Sequence, residues 1–151
     1  MTTQLKQRIL EDVTATMRAK DKPRLGTLRL VTAAIKQLEV DSRSCLDDAS
    51  VLAVLEKMLK QRRDSLQQYS DAGRQDLADQ ESYEIAIIET YMPEALPAVE
   101  LTALIDAAIA ETGATSMRDM GTVMGLLKSR VQGRADLGAV SGTVKQKLAG
   151  L

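Results

Sequence analysis

The chain has no histidine, no phenylalanine and no tryptophan, and only one cysteine and three prolines among 151 residues. Without histidine there is no nucleophile–histidine dyad and no histidine-containing metal site. A single cysteine excludes an intramolecular disulfide and a cysteine-based metal cluster, and it permits a reducing compartment. Cys45 is either a reactive thiol with no imidazole to activate it, or a passive residue in a loop or at a helix start. No apolar run approaches the roughly 20 residues of a membrane span. The opening MTTQLKQRILEDV carries a charge every few residues, unlike a signal peptide. The expectation is a cytoplasmic protein without membrane contact. Glycine-rich phosphate loops are also missing, and no serine sits in a glycine elbow beside a base. No catalytic residue, no metal and no cofactor are therefore expected.

What remains is aliphatic. Seven Met and three Tyr accompany Leu, Ile, Val and Ala, a set that suits helices packed on helices. The β-branched and aromatic alternation of strands is lacking. All three prolines fall at an inferred helix start or in a connector, where helices tolerate them. The fold class expected is all-α.

Periodicity divides the chain further. A first helix is predicted over residues 3–20, with Leu5, Ile9, Val13 and Met17 on one face. Asp21 reads as an N-cap, with Pro23 in the first turn of a second helix that runs to about Val40. Leu25 starts its stripe, which continues through Leu28, Val31, Ile35 and Leu38. Asp47 or Asp48 caps a third helix that Gly73 stops. A fourth follows over residues 74–91, with Leu77, Ile85, Ile88 and Tyr91 inward and Asp76, Asp79, Glu81, Glu84 and Glu89 toward water. Pro93 ends it. Three shorter helices come next, opening near Pro97, Ser116 and Asp136. The predicted organisation is an N-terminal domain of about four helices (1–92), a proline-containing connector (93–97) and a small three-helix domain (98–151).

Net charge is −1, but its distribution is uneven. Residues 1–63 hold 13 Lys/Arg and 8 Asp/Glu, residues 64–113 hold 1 and 11, and residues 114–151 hold 6 and 2, giving +5, −10 and +4. Two basic ends around an acidic middle suggest nucleic-acid contact, the alternative being ordinary solvated helix faces. Lys57, Lys60 and Arg63 share a helical face and form one candidate phosphate contact. Lys128, Arg130, Arg134, Lys145 and Lys147 surround the turn VQGRAD and form the other, stronger candidate, with Asp136 as the only nearby acid in sequence. No aromatic lies beyond Tyr91, so base stacking is not available there. The acidic run offers carboxylates for acid–base work or Mg²⁺, yet it follows an exposed helical face without a ligand triad. Gly121 and Gly125, four apart in a helix, have the spacing that permits close helix packing.

Three blocks carry a family resemblance: MRAKDKPRLGTLRLVTAAIKQLEVD, KQRRDSLQQYSDAGRQDLADQESYEIAIIETYMPEALP and RDMGTVMGLLKSRVQGRADLGAVSGTVKQKL. Through them the chain resembles YqeY-like proteins of the GatB/YqeY family over nearly its whole length. It departs from the family at Pro97-Ala98-Val99, where a Ser-capped acidic helix start is more usual. The family is similar to the helical C-terminal part of GatB, a component of the aspartyl/glutamyl-tRNA amidotransferase. In that enzyme the tail helps recognise tRNA while the chemistry lies elsewhere. The resemblance thus implies a helical adaptor for tRNA or a tRNA-handling enzyme. A second expectation is an accessory that supports glutamine-dependent carbon–nitrogen ligase activity only in complex. A third is a protein-interaction module that uses the acidic fourth helix.

Overall fold

The computed structural model describes residues 4–151, and every regular element in that range is helical. The α-helices are α1 (Gln4–Arg18), α2 (Lys22–Ser42), α3 (Asp48–Asp71), α4 (Gln75–Glu89), α5 (Ala98–Thr112), α6 (Met120–Val131) and α7 (Leu137–Ala149). The expected helix start at residue 3 lies outside the described residues. The chain divides into two compact units, one ending at Met92 and the other spanning Pro93–Leu151.

In the first unit the caps follow from local chemistry. The Asp21 carboxylate accepts the Arg24 N–H at 3.2 Å, and Pro23 stands in the first turn of α2, where its missing donor is no loss. Asp47, not Asp48, caps α3 by accepting the Ser50 N–H at 2.8 Å. Asp48 instead accepts the Leu5 N–H at 3.0 Å, tying the start of α1 to α3. Gly73 takes a left-handed φ of 72° between α3 and α4, a conformation that costs a side-chain-bearing residue free energy. The helices enclose Ile9, Leu28, Val31, Ile35, Val51, Leu55, Ile88 and their neighbours.

Tyr91 closes this core. Its ring is buried, its hydroxyl donates to Asp12 Oδ2 at 2.6 Å, and the Arg8 guanidinium lies 4.9 Å from the ring centroid. Arg8 also donates to the Thr90 carbonyl at 2.9 Å. The end of α4 is thereby fastened to α1. Burial, and then the bond to Asp12, push the phenol well above its ordinary range, so it stays a donor at all physiological pH.

Several inferred core positions are corrected. Met17 is 47% exposed, and Thr16 is buried in its place. Steps of four residues advance 400° around a helix, so each drifts 40° from the face, and three steps carry Met17 off it. Leu38 is likewise largely exposed, and α2 continues past Val40 to Ser42 before Arg43 turns left-handed. Glu81 and Glu84 are half-buried, not solvated.

The second unit packs short aliphatic side chains, including Ile105, Val123, Leu127, Val131, Val140, Val144 and Leu148. Pro97 begins α5 with no side-chain cap, and Gly113 ends it at a φ of 65°. Ser116 caps a 3₁₀ turn (Met117–Asp119) that leads into α6, and the Asp119 carboxylate accepts the Ser116 N–H in return. Asp136 caps α7 by accepting the Gly138 N–H at 3.0 Å. Residues 93–97 join this unit: the Leu96 N–H donates to the Arg134 carbonyl at 2.8 Å, and Arg134 Nε donates to the Glu94 carbonyl at 3.0 Å.

The pair Gly121 and Gly125 does not mediate close packing. Both are exposed, and a Cβ built on either meets nothing within 4 Å. Gly125→Ala should therefore raise unfolding free energy by about 0.5–1 kcal/mol, read by urea denaturation, because only helix propensity changes. Tyr91→Phe keeps the ring but leaves Asp12 without its donor. It should cost about 1–2 kcal/mol in the same assay, and a cost near zero would show that the bond adds nothing.

Candidate nucleic-acid interface

The basic cluster on α3 splits in two. Arg62 Nε donates to Glu84 Oε2 at 2.9 Å in a pair whose side chains are only 15% and 13% exposed. Arg63 meets Glu89 at 2.9 Å, but with both side chains about half exposed. Lys57 and Lys60 are exposed and take part in none of the ion pairs among the described residues. The face shared by Lys57, Lys60 and Arg63 therefore stands open to solvent, with one member lightly tethered.

The C-terminal group divides more sharply. Arg130 pairs with Glu111 at 2.7 Å, and Lys147 pairs with Asp106 at 2.7 Å, so both turn toward α5. Arg134 is half-buried and holds the Glu94 carbonyl. Lys128 and Lys145 remain exposed and outside the ion pairs among the described residues. Residues two apart on a helix point roughly 200° apart, which is why Lys128 and Arg130, and Lys145 and Lys147, diverge.

The same pairing explains where the charge runs go. Residues 93–151 contain 6 Lys/Arg and 6 Asp/Glu, and residues 1–92 contain 14 and 15. Glu84 and Glu89 of α4 meet Arg62 and Arg63 of α3, and Asp106 and Glu111 of α5 meet Lys147 of α7 and Arg130 of α6. A charge alternation along the chain thus becomes near-neutrality within each unit.

One basic cluster escapes this cancellation and is missed when charge is counted in blocks. Arg18, Lys20, Lys22 and Arg24 stand at alternate positions across the α1–α2 turn, three of them exposed and Arg24 half-buried. None takes part in an ion pair among the described residues. The one carboxylate in that stretch, Asp21, is already engaged as the helix cap. The readable signal is the alternation R-x-K-x-K-x-R around a capping Asp, of which the turn leaves Arg18, Lys20 and Lys22 exposed.

Part of the acidic helix is engaged, while Asp76 and Asp79 stay exposed. Glu84 and Glu89 answer Arg62 and Arg63, and Asp76 is held below its ordinary carboxylate range first by the Arg74 guanidinium. Among the described residues no group of three or more Cys, Asp or Glu side chains is placed to hold a metal ion. No helix among them is long and apolar enough to cross a membrane. Glu81 is the exception to satisfaction: its Oε2 is buried without a partner, and burial, then the neighbouring Glu84 charge, raise its carboxyl above the ordinary value.

Comparison with known proteins places the chain. A family model described as Yqey-like protein matches residues 6–148, and the chain belongs to that family. It is 29% identical over 131 residues to Altered inheritance of mitochondria protein 41, mitochondrial, of Pyrenophora tritici-repentis, covering 85% of this chain and 71% of that protein. It is 38% identical over 109 residues to the protein of the same name from Eremothecium gossypii, covering 70% and 59%. The Vanderwaltozyma polyspora protein of that name is 33% identical over 88 residues, covering 58% and 47%. The chain thus spans between about half and seven-tenths of the length of these relatives. They also correct the cytoplasmic expectation, because all three carry the word mitochondrial in their names.

Glu81 supplies a test with a definite sign. Its folded carboxyl binds a proton more tightly than the unfolded one, so ionised Glu81 opposes folding at neutral pH. That opposition is relieved as pH falls through the raised folded value toward the ordinary 4.5. Glu81→Gln should raise the thermal midpoint at neutral pH, with the gain fading on acidification. An equal gain at both ends of the pH range would assign it to something other than ionisation.

Proposed function

We propose that this YqeY-like chain, built as a four-helix domain followed by a small three-helix domain, is a helical adaptor with no active site of its own that binds tRNA through its phosphate backbone. The observation that carries the reading is the α1–α2 turn, where Arg18, Lys20, Lys22 and Arg24 crowd seven residues and the only acid among them caps a helix. Lys57 and Lys60 on α3 and Lys128 and Lys145 in the second unit add exposed cations of the same kind. Lysine and arginine at this density neutralise phosphates and release counterions, which gives affinity without sequence reading. The shortage of aromatics fits that mode, since stacking on bases would need rings at the surface. The family's likeness to the tRNA-contacting tail of an amidotransferase component supports tRNA over other polyanions.

The full chain should bind tRNA with an affinity that falls steeply with salt, the slope of log K against log salt reporting the phosphates engaged. Reversing Arg18, Lys20 and Lys22 to Glu should weaken binding by roughly tenfold or more at low salt and flatten that slope. Reversing Lys128 and Lys145 should have a smaller effect. No detectable binding at low salt would remove the RNA reading, and equal effects of the two variants would remove the priority of the turn.

A further inference from the structure

The face of the first unit between α1 and α2 carries a feature the RNA reading does not use. An open groove of about 480 Å³ runs between the two helices. Its lining is largely apolar: the buried Ile9 and Ile35 lie beneath the exposed Leu10 and Ala33. Met17 extends the apolar surface at one end, where Arg29 Nη2 reaches to 3.9 Å from its sulfur. The rim is cationic. Arg29 and Lys36 are exposed, stand seven residues apart on α2, and take part in none of the ion pairs among the described residues. That spacing puts their Cα atoms about 10.5 Å apart along one helix edge. Lys6 adds a third cation. The single lining acid, Glu39, is bonded to it at 2.6 Å and also accepts the Leu46 N–H at 3.2 Å. Those bonds, the one to Lys6 foremost, hold its carboxyl below the ordinary value, so it stays charged and committed to them.

We infer that this groove docks an acidic amphipathic helix of a partner protein. Solvent-exposed Leu10, Met17 and Ala33 make a seat for apolar side chains at i, i+3 or i+4 and i+7, the spacing a helix presents on one face. Arg29 and Lys36, seven residues apart, match carboxylates two turns apart on a helix lying alongside α2. A polyanion without apolar side chains would leave the floor wet, and a basic helix would meet three cations with no free acid. Charge complementarity therefore selects the acidic helix. The inference is independent of the tRNA reading, because none of the groove's cations belongs to the α1–α2 turn cluster.

The test uses the full chain and a fluorescein-labelled 18-residue peptide of leucine, alanine and glutamate. Leucines line one face, and glutamates flank them seven apart. A twin carries lysine for glutamate, and a second control has the same composition scrambled. Fluorescence anisotropy should show saturable binding of the acidic peptide alone, with amide chemical-shift changes centred on Leu10, Ala33 and Lys36. Ala33→Glu, and separately Arg29→Glu with Lys36→Glu, should each weaken it by roughly tenfold or more. All three sites are exposed, and circular dichroism should show unchanged helicity. Equal binding of the scrambled peptide, or no saturable binding of the acidic one, overturns the proposal. So does a shift map in which tRNA perturbs the groove and the peptide does not, or self-association abolished by Ala33→Glu, which would give the groove to RNA or to a second copy. Failure of tRNA binding with peptide binding intact would sink only the RNA reading.

Discussion

The half-buried ion pair between Arg62 and Glu84 is the contact on which the charge architecture turns. Two charges this shielded are stable only together. Removing one leaves the other desolvated and unmatched, which costs several kcal/mol in typical buried pairs and less in a half-buried one. The pair therefore fixes which face of α4 lies on α3. Once that face is set, Glu89 falls opposite Arg63 and Glu81 is carried into the same seam without a partner. Glu81, Glu84 and Glu89 are thus drawn to the side of α4 that meets α3, while Asp76 and Asp79 stay exposed. The same principle recurs in the second unit, where Asp106 and Glu111 of α5 take Lys147 and Arg130.

This is why the helices were legible in the sequence and the exposure of its charges was only partly so. Caps are local. Asp21, Asp136 and Gly113 act within a few residues, and their chemistry can be read from the string. Helix existence follows from periodicity, whereas the core face is misplaced at the ends of two stripes, at Met17 and at Leu38. A charge surface is not local. Counting +4 in the last residues treats α6 and α7 as facing water, whereas two of their cations face α5, nearly twenty residues or more away in the chain. Gly121 and Gly125 teach the same lesson: their spacing is compatible with a tight helix contact, but only the fold decides that they face solvent.

Tyr91 shows how one residue can be read correctly in place and incompletely in role. Periodicity puts it inward at the end of α4. Its bond to Asp12 and its contact with Arg8 span about eighty residues of sequence, and nothing in the local pattern announces them. Fastening α4 to α1 also uses Arg8 and Asp12. On another side of α1, exposed Leu10 borders the groove that α2 lines with Ala33 and its two cations.

Pairing does not remove every engaged cation from the candidate contacts, and burial decides which ones stay available. An exposed ion pair contributes about 0–1 kcal/mol, so its cation can exchange a carboxylate for a phosphate at little cost. Arg63, Arg130 and Lys147 are of this kind, each facing an acid that is half exposed or more. Arg62 is not, because its release would strand Glu84 in a shielded position beside the already unsatisfied Glu81. Arg134 is not either, since its side chain and backbone both hold residues 93–97 in place. Taken unit by unit, the candidate cations fall into three grades: those the fold leaves open, at the α1–α2 turn and on Lys57 and Lys60 in the first unit and on Lys128 and Lys145 in the second; those held only by exposed ion pairs; and two arginines, Arg62 and Arg134, that belong to the structure. A polyanion that binds by counterion release recruits the first grade before the second.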